Sequence, residues 1–420
     1  MQRIFLFAGM MAAILSCGVS EIGGSGGQSN SSGPIWGGMN GSHSGTSSDR
    51  KVYYMTAIDY KKGYDWRADQ ARETVKCSLV VYEDGLPVMK IPVGETYEIS
   101  PDPDKHRIIG GHLYTDYSTT EETVVKCDGH ELFRYPGCEY ICGMKIIEEN
   151  LYTLGQSRDG NGFALRKNGD VIFSKSHASV VGGLNNDSED LCFAFCEDIL
   201  SSGESLYRYY TSINGNISQI AVREDIRTVW DILACRDQVI YVATLVGIDA
   251  PVLVMGDSMT QLSFPIGATL LSCNIFKTAS AVGIEGIYRL RSGAYISTIW
   301  LGKTELCSYI GKGAISAINT DGDGVSFVMN PFGRNACGTI YRSGELSDMP
   351  EGYTVMGDNC VRIIDGILHV GMSSQYGCKP IVWKDGIVDS LDINGYITGM
   401  YQVDIGQITS PTRGCGSDLD

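Results

Sequence analysis

Residues 377–390 read Gly377-Cys378-Lys379-Pro380-Ile381-Val382-Trp383-Lys384-Asp385-Gly386-Ile387-Val388-Asp389-Ser390. β-branched and aromatic residues flank an Asp-Gly pair. A two-residue hairpin that follows the natural twist of its strands needs positive φ in the turn, which Asp and Gly tolerate, so this stretch predicts a β-hairpin. Seven further turns of the same kind are read at Asp84-Gly85, Asp128-Gly129, Asn168-Gly169, Asn214-Gly215, Gly256-Asp257, Ser292-Gly293 and Ser343-Gly344. Successive turn glycines lie 44, 40, 46, 41, 37, 51 and 42 residues apart. Self-similarity at that period signals a repeat architecture.

The unit is clearest between 141 and 173. A first strand over 141–147 is followed by the polar turn Glu148-Glu149-Asn150, and a second strand over 151–154 by a loop over 155–162. A third strand over 163–166 leads into the Asn168-Gly169 turn, and Val171-Ile172-Phe173 begins a fourth. Four short antiparallel strands repeated eight times predict an all-β fold, a β-propeller of four-stranded blades. Eight blades are favoured, with seven as the alternative because the 37-residue interval is the weakest copy. Innermost strands are expected at 143–147, 181–185, 230–235, 270–273, 315–319, 360–364 and 397–403. The small residues Gly143, Gly183, Ala234, Ala317 and Gly399 recur there, where strands crowd toward an axis. The first unit, 52–93, has only three strands, so strand 397–403 is expected to complete it and close the ring, removing an open sheet edge.

With 43% apolar residues, 23 Tyr and 11 Phe among 420 residues, the composition is that of a folded chain. A formal charge of -16 disfavours nucleic acid, whose affinity depends on clustered Lys and Arg, and disfavours an anionic membrane surface. No cofactor is expected.

Arg3 and an apolar run over 4–15 precede Ile14-Leu15-Ser16-Cys17. That order is similar to a lipoprotein signal peptide ending in a lipobox, with Cys17 the lipidation site and membrane contact through the lipid alone. Residues 18–50 hold ten Gly and nine Ser and read as a flexible tether with a coil span of about 30 Å. The expected organisation is signal peptide 1–17, tether 18–50, one propeller domain 51–405 and tail 406–420.

Fourteen cysteines invite a metal reading at Cys138-x3-Cys142 and Cys192-x3-Cys196, but those pairs contain no His and lack the closer spacing of zinc sites. No metal is expected; Cys77, Cys337 and Cys378 read as small buried residues at the start of equivalent strands. Asn319-Thr320-Asp321-Gly322-Asp323-Gly324 matches the first half of a calcium loop, yet Asn330 stands where the closing Glu is needed, so it reads as a polar turn. The single Gly-x-Ser-x-Gly, at Gly23, Ser25 and Gly27, lies in the tether without a preceding strand. Asp65 and Asp69 read as solvated loop acids.

Loop lengths point to one face. Turns joining first to second and third to fourth strands read as short, whereas 57–74, 95–105, 195–205, 302–313 and 331–336 read as long connections on the opposite face, where binding usually sits. The candidate ligand-binding residues there are Tyr60, Tyr64, Trp66, Arg67, Tyr97, Tyr117, Arg158, Phe332, Arg334 and Tyr376. Lipobox, tether and hairpin repeats together resemble the β-propeller lipoproteins of the Bacteroidetes-type envelope class. The resemblance implies an exported protein anchored to the outer membrane, periplasmic or at the cell surface. It also implies a non-enzymatic binding or scaffold role toward a glycan or protein ligand. A carbohydrate-active hydrolase or lyase with its site on the long-loop face is the alternative.

Overall fold

The computed structural model describes residues 51–404 apart from 63, 65–76, 94–104, 161, 185–189, 202–203, 221, 223–224, 236–237, 312, 323, 332–336 and 375–378. Among them the chain forms eight antiparallel blades. Blade 1 runs outward through Gly395–Asp404, Lys51–Tyr60, Cys77–Glu83 and Leu86–Val93. Blade 2 has His106–Ile109, His112–Ser118, Glu122–Cys127 and His130–Pro136; blade 3 has Glu139–Ile147, Asn150–Ser157, Gly162–Lys167 and Asp170–Ser176. Ala178–Gly182, Cys192–Ser201, Glu204–Ile213 and Asn216–Gln219 make blade 4, and Ile226–Ala234, Val239–Leu245, Ile248–Met255 and Ser258–Gln261 make blade 5. Blade 6 is Ala268–Lys277, Val282–Leu290, Tyr295–Leu301 and Thr304–Ile310, and blade 7 is Ala314–Asp321, Gly324–Asn330, Thr339–Arg342 and Glu345–Asp348. In blade 8 the inner edge is split into Tyr353–Thr354 and Val361–Ile364, with the short 3-10 turn Asp358–Cys360 before the second piece. Ile367–Ser374, Ile381–Lys384 and Ile387–Ser390 follow.

The ring closes as expected: Gly395–Asp404 pairs with Lys51–Tyr60, from Lys51 opposite Asp404 to Asp59 opposite Gly395. Burial follows from the radial stacking of the sheets. Middle strands are covered on both faces by neighbouring blades, so Val239–Leu245 and Gly162–Lys167 are almost wholly buried; the first reads as a nearly continuous apolar run, while the second also buries Arg166. Outer strands such as Asn216–Gln219 and Glu345–Asp348 are exposed throughout and correspondingly polar. The core lies between blades. Inner strands of blades 3, 4, 6 and 7 each slip register by one residue, at 141/143, 180/182, 270/272 and 315/317. Such bulges bend a strand and let it follow the axis.

One chemical device recurs at the outer hairpins. Asp84, Asp128, Asn168 and Asn214 have φ of 44°, 49°, 50° and 49°. In each the side-chain Oδ1 accepts the backbone N–H of Tyr53, Leu113, Leu151 or Leu191 at 2.8–3.1 Å, and the residue's own N–H returns a bond to the same partner's carbonyl. Asx is therefore required twice, for left-handed backbone and for an acceptor that ties the outer hairpin to the second strand, each bond contributing about 1 kcal/mol.

Several expectations are corrected. Ser292-Gly293 joins the second and third strands of blade 6; its outer hairpin turns at Gly302-Lys303, between Leu301 and Thr304. With that turn the intervals from Gly256 become 46 and 42, and the weak copy disappears. Residues 302–313 are thus mostly an outer strand rather than a long loop. Residues 195–205 belong to the extended hairpin of Cys192–Ser201 with Glu204–Ile213, in which Phe195 meets the Phe163 ring of blade 3 and the Tyr210 ring of the paired strand. The inner strand of blade 4 is Ala178–Gly182 rather than 181–185: Gly182 sits where an added Cβ would meet the Ile232 carbonyl oxygen of blade 5 at 2.0 Å. The first-to-second connection of blade 4 spans 183–191, so those turns are not short throughout. The calcium-like segment is a turn between Asp321 and Gly324, as expected. Cys337 is exposed, not buried.

Candidate functional site

The channel edge is held by side chains that each reach the backbone of a neighbouring blade. Asp231 Oδ2 accepts the N–H of Ile275 at 2.8 Å, and Asn319 Oδ1 accepts that of Ile363 at 3.1 Å. Arg362 Nε donates to the Met400 carbonyl at 3.0 Å, the Tyr401 hydroxyl to the His106 carbonyl at 2.6 Å, and Arg107 Nη2 to the Ile141 carbonyl at 3.2 Å. These groups sit on inner strands, where a polar side chain can satisfy backbone atoms that the sheet edge leaves unpaired.

Three of these residues also line a concave site on the short-turn face, a cleft of about 440 Å³ at the end of the inner strands of blades 7, 8, 1 and 2. Its wall comprises Asn319, Thr320 and Asp321 from blade 7, Arg362, Ile363 and Asp365 from blade 8, Lys51, Tyr401 and Gln402 from blade 1, and Ile108 from blade 2. Lys51, Asp321 and Asp365 are exposed, while Thr320, Arg362 and Gln402 are half-buried. Asp365 also accepts the Tyr53 hydroxyl at 3.1 Å. Burial raises the Tyr53 phenol above its usual range, with the Asp365 charge adding to it, and burial alone draws the Arg362 guanidinium below its own. The cleft offers donors and acceptors of both charges around an open cavity, which suits a neutral, many-hydroxyl ligand better than a single ion.

Two carboxyls outside that wall are strongly perturbed. Burial pushes Asp231 up to about 6 although its oxygens accept the amides of Ile232 and Ile275. Burial also pushes Glu285 up to about 8, against the Asn274 amide at 3.4 Å. Asp231 is committed to holding blade 6 and is not placed as a free base.

Of the residues expected from sequence, Tyr60 and Tyr64 are described and turn inward. Their rings are 5.5 Å apart, Tyr60 lies 6.2 Å from Tyr396, and the Asn394 amide donates to the Lys61 and Tyr64 carbonyls, so they pack blade 1. Tyr117 is half-buried, with Lys126 5.6 Å from its ring, and Arg158 is exposed in the turn after Ser157. Trp66, Arg67, Tyr97, Phe332, Arg334 and Tyr376 lie outside the described residues, as do Asp65, Asp69 and Cys17. Sequence reasoning missed the cleft residues because it sought long loops. Asn319 and Asp365 were already visible as polar residues at first-to-second strand turns, which is the signal that could have found them.

No family model and no curated protein matches the chain. Solved structures resemble it in fold. Dihydro-heme d1 dehydrogenase NirN, in complex with DHE, is 9% identical with a TM-score of 0.49 over 89% of this chain and 78% of that one. The β-propeller domain of the trilobed protease from Pyrococcus furiosus is 13% identical with a TM-score of 0.38, covering 60% and 84%. A putative 6-phosphogluconolactonase from Bacteroides uniformis is 11% identical with a TM-score of 0.37, covering 84% and 99%. At these identities the likeness is one of fold alone, the β-propeller.

Proposed function

We propose that this protein is a non-enzymatic binding module of the bacterial envelope, anchored by lipid on Cys17, that takes a glycan at the channel mouth of the short-turn face. The observation that carries the reading is the cleft itself, where polar groups from blades 7, 8 and 1 converge on one open cavity while the inter-blade ties hold their backbones still. Preorganised donors and acceptors of that kind lower the ordering cost of binding a polar ligand. Direct titration of envelope oligosaccharides into purified protein tests it. The double variant Lys51→Ala, Gln402→Ala should weaken binding at least about tenfold with an unchanged melting temperature. A wild type that binds none of the glycans, or variants that bind them equally well, would refute the site. Tyr64→Ala with Trp66→Ala serves as the comparison; loss of binding there instead would move the ligand to the long-loop face. Turnover of the bound glycan would favour the hydrolase or lyase reading.

A further inference from the structure

The outer hairpin of blade 2 departs from its neighbours in chemistry. In blade 3 the residue before the tied amide, Asn150, accepts from Asn168 at 2.9 Å, and in blade 4 Asp190 accepts from Asn214 at 2.7 Å. In blade 2 the same slot holds His112, whose Nδ1 lies 2.7 Å from Asp128 Oδ2. The residue preceding the turn, Lys167 in blade 3 and Ile213 in blade 4, is here Cys127. The His112 nitrogen, Cys127 Sγ and an Asp128 oxygen all lie within 4.8 Å of one another. Cys127 is fully buried, whereas the side chains of His112 and Asp128 are 18% and 24% exposed, so an ion has a route in from solvent. His130 is exposed and stands directly opposite Cys127 in the ladder. Cys127-Asp128-Gly129-His130 thereby places a thiol and an imidazole three residues apart across a tight turn, a spacing suited to zinc.

We propose that this hairpin is a binding site for a zinc-class divalent metal, with His112, Cys127 and Asp128 as ligands and a fourth position open to water or to the exposed His130 of the same turn. One imidazole, one thiolate and one carboxylate are the donor mixture that borderline cations select over calcium or magnesium. Asp128 is already aimed by the Leu113 amide, which donates to Oδ1, and Oδ2 exchanges its present contact with His112 Nδ1 for the ion. On binding, the Cys127 thiol gives up its proton to solvent, so affinity falls at acid pH.

The full chain, stripped of metal, is titrated with cobalt(II) as a spectroscopic probe and with zinc against a fluorescent chelator. The expected result is one equivalent bound with a thiolate-to-cobalt charge-transfer band. Cys127→Ser should abolish that band and weaken zinc at least about tenfold. Asp128→Asn and His112→Asn rebuild the slots seen in blades 3 and 4, so they should fold normally and still lose affinity by a similar factor; they decide the matter if Cys127→Ser does not fold. His130→Ala should have the smaller effect. Absence of the band in wild type, or an equal band in the His112→Asn variant, would overturn the proposal, the second by assigning binding to other cysteines.

Discussion

Toward blade 4, blade 3 presents Phe163 and Phe173, which meet Phe193, Phe195 and Tyr210; Phe163 and Phe195 are 5.0 Å apart, and Phe195 stacks on Tyr210 at 5.0 Å. Toward blade 2 the same sheet presents Glu139 and Arg166, joined by two bonds of 2.6 and 2.8 Å, with the guanidinium 3.8 Å from the Tyr135 ring. Beside them Lys105 and Arg107 share the fully buried Asp116 at 2.8 and 3.1 Å. Alternation along one strand produces both faces: Leu165 points to the rings and Arg166 to the ions. The rings are held by burial and tolerate inexact neighbours. The ions stay only while each charge keeps its partner, so the two faces should fail in different ways.

Phe193→Ala should have the largest effect, about 4 kcal/mol of stability in denaturant unfolding, because the four remaining rings cannot collapse into the space left by the fifth. Arg166→Met should cost about 3 kcal/mol by stranding the Glu139 carboxylate, whereas Glu139→Leu with Arg166→Met should return to within about 1 kcal/mol of wild type. A double variant as unstable as the single one would erase the contrast between the faces.

Gly155→Ala probes the ionic face without touching a charge. A Cβ there would lie 2.0 Å from Glu139 Oε2, since the carboxylate crosses the second strand at this glycine to reach Arg166 on the third. We expect about 1–3 kcal/mol of destabilisation, abolished when the Glu139–Arg166 pair has already been replaced. Additive losses would show that the pair and the glycine are independent.

Glu285 extends the comparison to a carboxyl bonded by a neutral amide rather than a cation. Its folded-state value, raised to about 8 by burial, exceeds the usual 4.5. Its contribution is therefore fully present below pH 4.5 and lost as pH rises toward 8, because the unfolded chain ionises first. Glu285→Gln should flatten the fall in stability between pH 5 and 8 and raise stability at pH 8 by roughly 1 kcal/mol, allowing for the screening of a half-buried group. Unfolding curves of both forms across that range check it, and an unchanged slope would assign the pH dependence elsewhere. His369 works the other way. Burial lowers it to about 4, so stability declines as pH falls from 6.5 toward 4.

Local chemistry made the blade legible from sequence. Asp-Gly and Asn-Gly turns need positive φ and a nearby amide, and both requirements act over a few residues, so Asp84, Asp128, Asn168 and Asn214 announced their hairpins. The return of the C-terminal strand to Lys51–Tyr60 was also readable, because a three-stranded first unit leaves an edge to fill. In blade 6 the same logic misled: Ser292-Gly293 and Gly302-Lys303 are both tight turns, and only the ladder from Leu301 to Thr304 shows which one carries the outer strand. What sequence alone could not supply was company across blades. Nothing local links Asn319 to Ile363 or Tyr401 to His106, since these partners lie 44 and 295 residues apart and meet only once the sheets are arranged around a common axis. The cleft at the channel mouth, drawn from four blades, was decided by the tertiary structure for the same reason.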